Sequence, residues 1–364
     1  MTSKRARRAG GAGRPEHAQR SPTDWRPRPD RRSVWGLRAV FVVCGLVAAA
    51  VVVAGVAGVA ARTDRARPQT AGNGLPIGTF SHHPVRITLP AQPASYLGAY
   101  ARGVPRSYAP IESFAQAAGA RPNIALYYSG WREKFQFAFA MQAKEHDAVP
   151  FIQIDPDGVS LASIAAGTDD TYLATFATDV AGYGAKTGQG VIIGFGHEVN
   201  GSWYPWGYRH VSPAVFVAAW RHIVTVFRQQ GADNVTWLWT VNVIDTKRGI
   251  PSPARWWPGS SYVTWVGIDG YYRKPSWAFA PLFGPTIKAV RALTLDPILI
   301  SETAAGPETG QPSKITDLFS GTRAYGLLGF VWFNSRGHQD FRLTSPAARA
   351  AYSQGAKTYR KSAP

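Results

Sequence analysis

The chain has 364 residues, room for one large domain with extensions or for two ordinary ones, and its 45% hydrophobic content excludes a wholly disordered chain. The net charge of +18 raises the question of nucleic acid, but residues 1–38 hold eleven Lys/Arg against three Asp/Glu, and the remaining +10 is scattered without a basic run. No zinc-finger spacing, ribonucleoprotein motif or recognition helix accompanies that charge, so nucleic acid is excluded as a partner.

Residues 1–38, rich in Arg, Pro and Gly, read as a disordered basic cytoplasmic tail. Residues 39–61 carry no charge and lie between Arg38 and Arg62. As a helix they would extend about 34 Å, enough to span a bilayer, and the basic flank predicts a cytoplasmic N-terminus. They are read as a transmembrane signal anchor, with the rest of the chain extracellular. The alternative is a secreted protein, released by cleavage near Ala61. The one cysteine, Cys44, falls in this run, so the later part has no disulfide and no thiolate for a metal or for nucleophilic catalysis. Residues 62–94 read as a linker, with turn residues throughout.

From residue 95 the pattern becomes regular. Apolar, β-rich runs recur at 95–100, 123–129, 149–154, 191–197, 234–242, 262–272, 296–302 and 327–334. Helical periodicity fills most of the gaps, as in "PAVFVAAWRHIVTVFRQQGA" before the fifth run, and "SPAARAAYSQGAKTY" closes the chain. Eight such units over residues 95–360 predict an α/β fold, a (β/α)8 TIM barrel that serves as a monomeric catalytic domain. An open doubly wound sheet would want a Gly-rich nucleotide turn after the first strand, and "LGAYARGVP" is not one.

In such a barrel the chemistry stands at the C-terminal ends of the strands. Of seven glutamates, two end apolar strands: Glu198 on the fourth and Glu302 on the seventh. Alternation puts Ile192, Gly194, Gly196 and Glu198 on one side of the fourth strand, and Ile298, Ile300 and Glu302 on one side of the seventh, both carboxylates inward. Two carboxylates facing one cleft suit glycoside hydrolysis, one as acid and the other as nucleophile or activator of water. Trp203, Tyr204 and Trp206 beside Glu198 would disfavour its charged form and offer a platform for a sugar face. A buried structural salt bridge at each glutamate is the bland alternative. Trp131, after the second strand, fits either a sugar subsite or loop packing. His197-Glu198 lacks the second histidine of a zinc-protease motif, since residue 201 is Gly. Neither a metal nor another cofactor is expected.

The run His197-Glu198-Val199-Asn200-Gly201-Ser202-Trp203-Tyr204-Pro205-Trp206 resembles the H-E-M-N-G-x-W-Y-P-W signature of glycoside hydrolase family 26, the family of endo-β-mannanases, with Val199 at the Met position. The resemblance implies a retaining mechanism on β-linked polysaccharide, β-1,4-mannan first, with Glu198 as acid/base and Glu302 as nucleophile. It assigns His197, Asn200, Trp203, Tyr204 and Trp206 to substrate binding. Asp269 and Tyr271 resemble the family's D-x-Y element, whose tyrosine bonds the nucleophile, and Trp332 resembles a tryptophan flooring the subsite of the cleaved sugar. A retaining pair is expected at about 5–5.5 Å and an inverting pair at about 6.5–9.5 Å. The same mechanism on β-glucan, β-1,3-xylan or an envelope polysaccharide is an alternative, as is a non-catalytic carbohydrate-binding barrel.

Overall fold

Eight strands of five to ten residues, mostly apolar on both faces, form a closed barrel of parallel strands in chain order: β1 (Tyr96–Pro105), β2 (Ile124–Gly130), β3 (Val149–Asp155), β4 (Val191–Phe195), β5 (Val235–Asn242), β6 (Trp265–Asp269), β7 (Ile298–Thr303) and β8 (Gly329–Asn334). Closure comes from six register pairs between β1 and β8, Tyr96 to Ala101 against Gly329 to Asn334. The computed structural model describes residues 87–337 and 339–360. The expected tail, the expected membrane span and linker residues 62–86 lie outside these. Among the described residues no helix is long and apolar enough to cross a membrane.

Helices α1 (Ala109–Ala118), α2 (Phe137–Glu145), α3 (Leu161–Ala165), α4 (Asp170–Thr187), α5 (Pro213–Gln229), α6 (Phe279–Arg291), α7 (Gln311–Ala324) and α8 (Pro346–Arg360) surround the sheet. α5 shows why such a segment is helical. Ser212 caps it by accepting from the Val215 amide, Pro213 opens its first turn, and Phe216, Trp220, Ile223 and Phe227 bury one face. Each large buried side chain of this kind stabilises the fold by roughly 1.5–3 kcal/mol.

The repeat is not strict. Between β3 and β4 there are two helices, and between β5 and β6 there is none. That connection carries only short 3-10 turns, Thr246–Arg248 and Pro253–Trp256. Pro251, Pro253 and Pro258 crowd it, and proline removes helix hydrogen bonds and clashes with the preceding turn.

Alternation sorts the strands into an outer and an inner face. Outward, Trp237 packs on Trp220 and Phe227 of α5, and Phe330 on Phe319 of α7 and Tyr352 of α8. Inward, Tyr96 and Trp265 meet at the N-terminal end of the barrel, ring centroids 5.1 Å apart. Above them Gln153 donates to Thr240 Oγ1 at 3.1 Å across the interior. Gly194 and Gly267 make room for that layer, since a β-carbon on Gly194 would collide with the Gln153 side chain and one on Gly267 with Ser301 and Thr240. The C-terminal mouth is therefore the end at which polar inward side chains gather.

Candidate active site

β4 stops at Phe195, and the chain turns before Glu198. Gly196 and Glu198 both take the left-handed conformation, at φ 54° and 55°. For a non-glycine residue this costs about 1–2 kcal/mol, a kind of strain that gathers at functional sites. The turn is tied to both neighbouring strands. The Gly196 amide donates to the Ile154 carbonyl at 2.9 Å, and the Glu198 amide to the Thr240 carbonyl at 3.1 Å. Alternation therefore does not run as far as residue 198. It sends His197 outward, whereas the imidazole is buried at the mouth. There Nδ1 donates to Asp155 Oδ1 at 3.0 Å and Nε2 lies 3.0 Å from the Tyr204 hydroxyl.

Glu198 is 2% exposed. Its Oε2 accepts from Trp203 Nε1 at 2.6 Å, and its Oε1 accepts from Asn242 Nδ2. Trp203 reaches it by lying across Gly201, where any β-carbon would collide with the indole. Burial raises the Glu198 pKa above the ordinary range, against the opposing pull of His197, Asn242, Trp203 and Arg273. Burial also works against charge on His197, but the carboxyl groups of Asp155, Glu198 and Asp269 together outweigh it and the histidine pKa is raised.

Glu302 enters the mouth through a β-bulge. Ile298 and Ile300 do not share its face, contrary to simple alternation. Ile300 pairs with outward-facing Phe330, Ser301 donates to Asp269 Oδ1 at 2.6 Å, and Glu302 itself pairs with Asp269 after the register shift. Glu302 is partly exposed, and its two oxygens accept from the hydroxyls of Tyr128 and Tyr271. Burial pushes its pKa up to about 8. The two phenol donors act the other way, because they favour the carboxylate. Removing either donor, in Tyr128→Phe or Tyr271→Phe, should raise the Glu302 pKa. The acid limb of a kcat/KM profile should then move to higher pH by roughly one unit. An unmoved limb in both variants would mean that neither hydroxyl holds the charge.

The residues expected to contact substrate fall in different surroundings. Asn200 is fully buried. Its amide donates to the carbonyls of Asn242 at 2.9 Å and Pro251 at 3.1 Å and accepts from the Asn242 amide at 2.8 Å, so it fixes the end of β5. Trp206 is 1% exposed, stacked on Tyr204 at 4.3 Å, with its indole N–H on the His197 carbonyl. Trp332 is fully buried on the outer face of β8, beside Tyr352 of α8, and donates to the Phe341 carbonyl at 3.0 Å. Trp131 packs on Tyr172 of α4 and on outward-facing Phe195. Asp269 is 1% exposed beneath the mouth, its pKa raised well above the ordinary value by burial and then by Glu198. Trp203 and Tyr204 stay partly exposed beside Glu198, and Tyr271 reaches Glu302.

Tyr128, Asn242 and Asp155 were not singled out from sequence, yet Asn242 and Asp155 each end an apolar strand, a signal like that of the glutamates, while Tyr128 lies two residues before the end of β2. Tyr100 and Phe333 line the mouth as a stacked pair, centroids 4.7 Å apart, and Tyr100 meets Tyr128 edge-on. Among the described residues no group of three or more His, Cys, Asp or Glu is arranged to hold a metal ion.

Residues 178–294 match the family model described as glycosyl hydrolase family 26. The match takes in the middle of the barrel. It runs from α4 to just past α6, including Glu198, Asp269 and Tyr271, and ends before Glu302. Endoglucanase H of Acetivibrio thermocellus is similar in sequence, 30% identical over 267 residues, which cover 69% of this chain and 29% of that protein. The chain thus spans less than a third of that relative's length. Two solved structures share the barrel. The catalytic domain of the Bacillus sp. JAMB-750 family 26 endo-β-1,4-mannanase aligns at TM-score 0.58 and 13% identity, covering 73% of this chain and 86% of that one. A Cellulomonas fimi endo-β-1,4-mannanase double mutant aligns at 0.56 and 16% identity, covering 72% and 70%.

Proposed function

We propose that this chain is a retaining glycoside hydrolase of family 26 acting on β-linked polysaccharide, with Glu198 as acid/base and Glu302 as nucleophile. One observation carries the reading: two glutamates enter one barrel mouth from β4 and β7, each held by its own pair of donors. The family match and the endoglucanase relative support the same reaction class. The reactive form has Glu302 ionised and Glu198 protonated: the tyrosine donors favour charge on Glu302, burial favours the proton on Glu198, and because burial also pushes the Glu302 pKa up to about 8, this form gains as pH rises towards 8.

A Glu302 oxygen bonds to the anomeric carbon as the glycosidic C–O bond breaks, and the Glu198 proton goes to the departing oxygen. Water then attacks the glycosyl-enzyme. Glu198, now a carboxylate, takes its proton, the water oxygen bonds to the anomeric carbon, and Glu302 leaves as a carboxylate. Trp203, in contact with Glu198 and partly exposed, offers a ring face beside the cleaved bond. β-1,4-Mannan is the first substrate to test and β-glucan the second, because the relatives' names point to both. Residues 39–61 are proposed as an anchor that keeps the barrel outside the membrane, near a surface polymer.

The test is reducing-end release by the full chain on β-mannans, β-glucans and xylans, with the first-formed anomer followed by proton NMR. Release of the β anomer first is expected. Release of the α anomer first would overturn retention, and binding without release would favour a carbohydrate-binding barrel.

A further inference from the structure

Beside the carboxylate pair, starting at Asn242 and Tyr271, lies a cleft of ≈1270 Å³ between the β5–β6 connection and the β6–α6 loop. Its lining carries four cations: Lys247 and Arg248 from the first loop, Arg273 and Lys274 from the second. The one acidic group on that lining, Asp245, accepts the Arg248 backbone N–H at 3.2 Å and makes no ion pair among the described residues. Arg273 is partly buried and, among the described residues, has neither an ion pair nor a hydrogen bond. Its five N–H donors are left to the cleft, where an anion would accept them in charge-assisted hydrogen bonds. Burial, then the like charge of Arg248, lowers the Arg273 pKa to about 10, so it stays charged at neutral pH. Trp277 lines the same cleft and is partly exposed, offering an apolar face next to the cations. Cations beside an aromatic face, opening from a sugar-cleaving mouth, match a pyranose that carries a carboxylate.

We propose that this cleft is a subsite for a uronic acid residue of the glycan, with Arg273 as the carboxylate's principal partner and Arg248 as its second. The proposal rests on the hydrolase reading for its place along the glycan, but the anion site is tested by binding alone. The planar guanidinium fork meets a carboxylate through two parallel hydrogen bonds, and Lys247 and Lys274 add attraction at longer range.

The probes are two hexamers that differ only at C6, β-1,4-mannohexaose and β-1,4-linked hexamannuronate. They are titrated calorimetrically into the full chain carrying Glu302→Gln, so that neither is consumed. The uronate hexamer should bind at least about tenfold more tightly. Arg273→Met should remove that preference, Arg248→Met should reduce it, and Lys357→Met, on exposed α8 surface far along the chain, should leave it intact. Unchanged thermal unfolding of the variants guards against a folding defect. Equal binding of the two hexamers, tighter binding of the neutral one, binding of neither, or a preference that falls as much with Lys357→Met as with Arg273→Met would each overturn the uronate site. Failure of the hydrolase reading shows elsewhere, as wild-type protein that releases no reducing ends from any polymer, whatever the titrations give.

Discussion

Glu302→Gln should lower kcat on a cleaved polymer by about four orders of magnitude, because no covalent intermediate can form on an amide. Glu198→Ala should behave differently, and the difference assigns the roles. With a dinitrophenyl glycoside the departing group needs no proton, so the glycosyl-enzyme still forms in Glu198→Ala. Its hydrolysis does need a base, so a burst of one dinitrophenolate per enzyme should be followed by a slow phase. Added azide should speed that phase and yield the β-glycosyl azide. Glu302→Gln should give neither burst nor rescue. Equal behaviour of the two variants, or a burst from Glu302→Gln, would reverse or remove the assignment.

The second large effect is on stability. Burial pushes the Glu302 pKa up to about 8, above the ordinary glutamate value of 4.5. A carboxyl with a raised pKa favours the folded protein while it is protonated. Its contribution is complete below about pH 4.5 and is lost as pH rises towards 8, because the unfolded chain then holds fewer protons than the folded one. The loss is on the order of a few kcal/mol, since a tenfold change in proton affinity corresponds to about 1.4 kcal/mol and the tyrosine donors reduce the total. Glu302→Gln, which cannot ionise, should therefore melt about 5 °C or more above wild type at pH 8. The gap should close near pH 5. Glu198 and Asp269 also titrate upward, but they remain in both proteins and largely cancel in the comparison. A gap of the same size at both pH values would show that packing rather than ionisation separates the two.

Barrel and carboxylate pair were both legible in the sequence, for a common physical reason. Strands buried on two sides must be apolar throughout, so a charged residue at the end of one stands out. Period-two reasoning failed where the backbone stops being a strand. A left-handed turn brings His197 to the mouth, and a bulge brings Glu302 there while Ile298 and Ile300 face the helices. Neither break has a marker beyond Gly196. Composition does not say which side of a strand a ring takes. Trp332 and Trp131 share the outer layer with α8 and α4. Asn200 sits within the signature run, yet its hydrogen bonds are spent on the β5 backbone. The missing helix between β5 and β6 is legible in its prolines. The cationic cleft is not, because Arg248 and Arg273 are 25 positions apart and meet only when their loops fold.

That missing helix separates two kinds of inheritance. Glu302 is carried by β7 and Glu198 by the turn that ends β4, which is tied by hydrogen bonds to β3 and β5, so the barrel itself fixes both places. The cations facing the cleft are carried by two connections, one of which returns to the sheet with no helix of its own to dock. Exchange of charge in residues 246–249 leaves strand pairing untouched, so what the cleft attracts can change while the two glutamates keep their places.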